Sequence, residues 1–171
     1  SQIGSTFGLS VLDLSTGQFT TLELDDLQEV LDELFRLRPA EFLVGKKFQE
    51  DHPNFFKELN LSFSFVINEK EPLDLRFSAD VLVCHFQVNN LDGFGLRGKN
   101  ASIIASGSLL LYLKEELNIN CDHILSIDLE LLTQYMAIDR ASMRNLELTE
   151  TMSDGSGKNT LLDILDHTCT P

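Results

Sequence analysis

Positive charge is scarce in this sequence: Lys and Arg number 13 against 27 Asp and Glu, a formal net charge of -14. Affinity for nucleic acid rests largely on cations that displace phosphate counterions. A surface this acidic repels DNA, so direct gripping of DNA is not expected of this chain. No basic patch with interleaved aromatics is legible either. The charge suits solubility, or a basic protein surface as partner. Cysteine is scarce too. Cys84, Cys121 and Cys169 are an odd number at wide spacing, with no signal peptide ahead of them. The expected setting is therefore reducing and intracellular, in the cytoplasm. The glycosylation sequons Asn60-Leu61-Ser62 and Asn100-Ala101-Ser102 carry no weight in that setting. Long apolar runs are missing: the longest, Leu109 to Leu113 with Tyr112 inside it, is far too short to span a membrane. An initiator Met is missing as well, and Pro171 comes straight after a helical pattern. The expectation is an internal piece of a longer protein.

What is present is globular. Hydrophobic residues make up 43% and charged residues 23% of 171. A chain of this length buries a core without disulfides or metal. Phe7 to Leu14 is rich in apolar residues on both alternate faces, as in a strand covered on both sides. Ser15-Thr16-Gly17 reads as a turn and Gln18 to Leu24 as a second strand, so the chain opens on a hairpin. Leu27, Val30, Leu31, Leu34 and Phe35 then share one helical face. Asp25 is the expected N-cap, with Gln28 three residues on as in a capping box, and Pro39 stops the helix.

Glu41 to Gly45 reads as a short buried strand, 50–60 as a weak helix and 62–67 as a strand. From Asp74 to Phe86 helix and strand patterns compete. Leu91-Asp92-Gly93-Phe94-Gly95-Leu96 is a glycine-punctuated turn. Residues 100–117 form a strong helix whose small residues, Ala101, Ala105, Gly107 and Ser108, permit close packing. Strands alternating with helices indicate an α/β layer fold. Beyond Cys121 the pattern becomes helical, over Ile138 to Leu148 and Thr160 to Leu165, with one possible short strand near Ile124 to Ile127.

The run Asp139-Arg140-Ala141-Ser142-Met143-Arg144-Asn145-Leu146-Glu147-Leu148 resembles a signature of the MutS family, found where the core domain begins. Met143 departs from it, standing where the family commonly has a second Arg. Asn159-Thr160-Leu161-Leu162-Asp163-Ile164-Leu165-Asp166-His167-Thr168-Cys169-Thr170-Pro171 is similar to a second family segment. Leu91 to Leu96 and the alanine-containing helix after it resemble the end of the family's connector domain. The resemblance implies an RNase H-like α/β connector, a mixed sheet flanked by helices, over 1–127. A short all-α segment, the truncated start of the core, follows over 128–171. It implies a module without chemistry of its own, relaying state between mismatch-binding and ATPase domains and offering a docking surface to MutL. The other domains of the parent are the further partners. ATP and Mg would bind elsewhere in the parent, and no cofactor is expected in this piece.

Several residues bear on other chemistries. An RNase H-type nuclease carries a catalytic Asp on its first strand, with further carboxylates around two Mg ions. Asp13 sits on such a strand, with Glu41 and Asp92 as candidate partners. This Mg-dependent nuclease is the alternative reading. The plainer one is an Asp that caps the Ser15-Thr16-Gly17 turn. Gly155-Ser156-Gly157-Lys158-Asn159-Thr160 looks like half a phosphate loop but lacks its first Gly and its Ser or Thr directly after Lys. Asn159 or Thr160 is instead expected to cap the next helix. Each cysteine has a histidine nearby (Cys84-His85, Cys121 with His123, His167 with Cys169), but these pairs lie too far apart along the chain for a zinc module. Acidic runs such as Glu23-Leu24-Asp25-Asp26 read as solvated faces. Arg144 is a candidate to pair across the junction of the two domains, and the segments Asn118 to Ile127 and Ser153 to Lys158 are the expected hinges. Asp13, Gly17, Gly93, Gly95, Asp139, Arg144, Asn145 and Asn159 are the candidate structural and interdomain positions. No catalytic, cofactor or metal residues are expected.

Overall fold

The computed structural model describes residues 1–131, 138, 140–149, 151–153 and 156–166, with the side chains of Arg140 and Ala141 excepted. They fall into two compact units, Ser1–Leu131 and Leu132–Pro171.

The first unit is mixed α/β. A short strand β1 (Gln2–Ile3) leads into β2 (Thr6–Asp13), which pairs antiparallel with β3 (Gln18–Leu24) from Phe7 to Asp13. Helix α1 (Leu27–Leu37) follows, with Val30, Leu31 and Leu34 buried as the 3.6-residue spacing requires. Its N-cap is Asp26, whose carboxylate accepts from the Gln28 amide at 3.0 Å. The expected cap, Asp25, instead accepts from the Thr6 hydroxyl at 3.0 Å and ties the hairpin to the turn. The helix ends on Arg38 in the left-handed conformation, φ 46°, ahead of Pro39.

Strand β4 (Glu41–Val44) and strand β5 (Val66–Glu69) pair in parallel as a separate two-stranded sheet. Between them the expected single weak helix is two short ones, α2 (Lys46–Asp51) and α3 (Phe55–Asn60). Pro53 lies in the break and cannot donate to a continuous helical ladder. The reward for this irregular path is aromatic packing. Phe42, Phe48, Phe55, Phe56, Phe63 and Phe65 meet one another at ring-centroid distances of 4.7 to 6.4 Å together with Phe7 and Phe35, mostly edge to face.

The ambiguous stretch is a helix, α4 (Leu75–Phe86), capped by Asp74, whose carboxylate accepts from the Phe77 amide at 3.2 Å. A 3₁₀ turn (Asp92–Phe94) precedes α5 (Asn100–Leu111), and a π-helical turn (Tyr112–Glu116) ends it. The possible strand near Ile124 to Ile127 is displaced to β6 (Asp128–Leu129), which pairs in parallel with β3. Ile124 and Ile127 are spent on the core instead, at 2% and 1% exposure. The main sheet order is thus β1-β2-β3-β6.

Helix α5 is the centre of this unit, because it packs on β2 and β3 and also on α4. Small residues permit both contacts. A Cβ on Gly8 would stand 2.1 Å from the Ala101 carbonyl oxygen, and one on Gly107 would stand 2.7 Å from the Ser78 Cα. The crossing is also hydrogen-bonded. Thr21 Oγ1 donates to the Leu9 carbonyl at 3.1 Å, so it accepts from Ser10 at 2.9 Å, and Ser10 in turn accepts from Ser106 at 2.7 Å. Glu23, read from sequence as part of a solvated run, caps α5: its carboxylate accepts from the Ala101 and Ser102 amides at 3.0 and 3.3 Å. An anion at a helix N-terminus satisfies amides that have no partner within the helix. Lys99 lies 3.4 Å from the same carboxylate.

The second unit contains α6 (Arg140–Asn145) and α7 (Leu161–Leu165) among its described residues. Thr160 caps α7, its hydroxyl accepting from the Asp163 amide at 3.2 Å and donating to the Gly157 carbonyl at 3.0 Å. Amides of Leu161 and Leu162 donate to the Glu147 and Leu148 carbonyls, both at 3.0 Å, and so join the two helices.

Gly8→Ala and Gly107→Ala should each destabilise the first unit by roughly 1–3 kcal/mol or more, since the clash at each is with backbone. Urea denaturation followed by far-ultraviolet circular dichroism checks this; an unchanged midpoint for either variant would show that the crossing tolerates a methyl group.

Candidate functional site

The candidate site is the segment from Cys121 to Leu131, by which the chain leaves the first unit. Four elements hold it. The hairpin tip between β2 and β3 is the first. Asp13 Oδ1 accepts from the Ser15 amide at 2.8 Å, the Ser15 hydroxyl at 2.6 Å and the Thr16 amide at 3.4 Å. These donors favour the carboxylate, so the Asp13 carboxyl lies below the ordinary range, the Ser15 hydroxyl contributing most. Gly17 closes the turn at φ +74°, where a Cβ would be 3.0 Å from the His123 ring. His123 Nε2 donates to the Leu14 carbonyl at 3.1 Å and docks the segment on the tip.

Helix α4 is the second holder. His85 Nε2 donates to the Ile124 carbonyl at 3.0 Å, because a carbonyl can only accept. Burial, and then the Lys114 charge, hold this imidazole below its ordinary pKa. The third holder is the glycine turn, where Gly95, at φ +75°, lies against Leu129. The fourth is α1, whose Arg36, already paired with Glu33, reaches Glu130 at 3.8 Å. The segment itself puts Cys121, Ile124 and Ile127 into the core at 1%, 2% and 1% exposure. Burial pushes the Cys121 thiol up and leaves it a packing group.

Of the positions singled out in the sequence, Asp13, Gly17 and Gly95 come together around this segment. Gly93 faces open space. Arg144 and Asn145 are exposed on α6, and Asn159, at φ +61°, donates its amide to the Asp163 carboxylate at 2.8 Å just before α7. Asp139 and Gly155 lie outside the described residues. The stretch from Asn118 to Ile127, expected as a hinge, buries Cys121, Ile124 and Ile127 in the core and leaves Leu125 80% exposed. The Cys-x-x-Ile-x-x-Ile spacing of 121–127 was the available sign of this. His85, His123 and the Arg36–Glu130 pair were missed, since nothing local in the sequence says what they face.

Two of the carboxylates in the nuclease reading, Asp13 and Glu41, have other engagements. Asp13 closes its own turn, while Glu41 accepts from the Tyr112 hydroxyl at 2.8 Å and from the Asn68 amide group at 2.6 Å. That bond to Glu41, before burial, pushes the Tyr112 phenol up to about 12. Among the described residues no three His, Cys, Asp or Glu side chains are grouped to hold a metal ion. No helix among the described residues is long and apolar enough to cross a membrane.

Fold and site together define a linking module: an α/β body whose last strand hands the chain on to a second unit. Residues 1–124 match the family described as MutS domain II. The chain belongs to the MutS family of DNA mismatch repair proteins and carries its connector, domain II, with the RNase H-like mixed α/β fold. It is 45% identical to the DNA mismatch repair protein MutS of Protochlamydia amoebophila, over 99% of this chain and 20% of that protein. Identity to the MutS of Chlamydia pneumoniae is 39%, over 99% of this chain and 21% of the relative. For Syntrophobacter fumaroxidans MutS it is 34%, over 99% and 19%. The chain therefore spans about a fifth of the length of the curated relatives it matches.

The depressed Asp13 carboxyl has a definite pH signature. Its folded value lies below its unfolded one, so the turn's contribution is present above the ordinary carboxylate range and is lost as pH falls through the folded value. The stability gap between the native chain and Asp13→Ala should therefore shrink toward zero on acidification. Urea midpoints over a pH series read this directly; a gap that stayed constant into acid would remove the carboxylate from the account.

Proposed function

We propose that this chain is a non-catalytic relay within a MutS mismatch-repair protein. Residues 1–127 act as the connector and 128–171 as the start of the core. The connector passes state between the mismatch-binding and ATPase domains, which lie elsewhere in the parent along with its ATP and Mg, and it offers MutL a docking surface. The observation that carries this reading is the docking of the 121–131 segment. Three buried side chains, the His85 bond to the Ile124 carbonyl and the pairing of β6 with β3 bind it to the α/β body. A displacement of that body is thereby delivered to the chain beyond Leu131 rather than absorbed in slack. Coupling of this kind requires contiguous packed contacts between the elements it joins. Asp139, Arg144, Asn145 and Asn159 are proposed to act at the start of the core, Arg144 through its charge. The net charge of -14 favours a basic face on the docking partner.

Docking is tested by titrating this chain with the ATPase domain of the cognate MutL at low and moderate salt. Saturable binding that weakens as salt rises is expected. Silence at both salts would remove docking on the isolated connector. The relay is tested in the full-length parent. Ile127→Ala should reduce mismatch-dependent stimulation of nucleotide turnover by about 2- to 30-fold, leaving turnover without DNA in place. Unchanged stimulation would make the connector a spacer.

A further inference from the structure

The hold on the outgoing segment changes abruptly along its length. Up to Ile127 the anchors are deep: Cys121, Ile124 and Ile127 are essentially inaccessible, and His85 grips the Ile124 carbonyl. From Asp128 onward they are shallow. Strand β6 pairs at only two positions, Thr20 with Asp128 and Thr21 with Leu129. One further backbone bond follows, from the Glu130 amide to the Thr21 carbonyl at 2.9 Å. Asp128 is exposed, and Leu129 is half-buried at the edge of the core beside Gly95. A further tie is the pair of Arg36 and Glu130 at 3.8 Å, with the Arg side chain 53% exposed and the Glu 28%. Exposed pairs of this kind contribute little and are screened by salt. Two-residue strands have no cooperative length of their own.

We infer that β6 is a releasable latch: Asp128 to Glu130 leave β3 together while the anchors up to Ile127 stay in place. Local openings that spare the global fold are a general property of weakly packed segments. The Arg36–Glu130 pair adds a small, salt-sensitive contribution to the closed latch, because it joins the latch to α1 without burying either charge fully. The latch deepens the relay reading, and its meaning for the parent rests on that reading: a closed latch transmits and an open one introduces slack.

Amide exchange in the 171-residue chain, resolved by nuclear magnetic resonance, tests the latch apart from the relay, since no partner or nucleotide is involved. The Glu130 amide should exchange at least tenfold faster than the Ile124 amide, which donates to the Cys121 carbonyl at 3.0 Å. Glu130→Lys sets two cations against each other at Arg36. Exchange at position 130 should then rise about threefold to tenfold, with Ile124 unaffected. Equal exchange at 124 and 130 in the native chain would mean one cooperative unit and overturn the latch. So would a Glu130→Lys variant in which both amides accelerate together, or in which neither responds. A latch confirmed beside unchanged mismatch stimulation in the Ile127→Ala parent would leave the latch standing and the relay refuted.

Discussion

Two backbone contacts organise this molecule: β2 against α5 at Gly8 and Ala101, and α5 against α4 at Gly107 and Ser78. At both places the chain comes closer than any side chain would allow, so α5 lies sandwiched between the sheet and α4. Burial of α5 on nearly every side follows, and with it the need for a helix that is apolar or small all round. The sandwiched helix then needs its polar groups answered internally. Ser106 joins the Ser10–Thr21 hydroxyl chain, and Glu23 reaches from β3 to the first amides of α5. An unsatisfied amide there would carry the full desolvation cost of a buried donor.

The acidic character of the chain is used unevenly. Many carboxylates are solvated, yet the run from Glu23 to Asp26 divides its tasks: Glu23 caps α5, Asp25 ties the hairpin, and Asp26 caps α1. Asp13 and Asp74 do similar local work at a turn and a helix start. Each of these groups accepts from backbone or hydroxyl donors, and Glu23 has Lys99 beside it as well. A chain with so few Lys and Arg can therefore carry this charge without needing an ion pair for each carboxylate. The Lys70–Glu116 pair at the π-helical turn is one of the few links between distant parts of the chain that rests on opposite charges.

The outgoing segment depends on the same core. Ile124 and Ile127 fill space beside Phe19, Leu82 and Leu110, and their burial draws Asp128 and Leu129 alongside β3. The hairpin tip contributes by shape, since Gly17 leaves room for His123. The turn chemistry of Asp13 and the docking of the exit segment are thus parts of one arrangement. In this setting a carboxylate at the end of the first strand serves structure.

Much of this was legible in order and spacing. The alternation of strands with helices, the apolar face of α1, the stop at Pro39, the small residues of α5 and the glycine turn are local patterns, and local sterics and hydrogen bonding suffice to read them. The segments that resemble the MutS family were legible for another reason: they preserve residue type and spacing together. Partnership at a distance was not legible. Asp25 and Asp26 are equivalent as caps until Thr6 claims one of them, and Glu23 looks solvated until the α5 amides arrive beside it. The apolar residues of 124–127 suggest a strand until the core offers Ile124 and Ile127 a place. The sequence by itself determined the opening hairpin, α1 and α5, because those choices depend on neighbours a few residues away. Only the tertiary structure decided which side chains meet, because burial and hydrogen bonding join residues that the chain separates by 78 positions, as Glu23 with Ala101, or by 109, as Leu14 with His123.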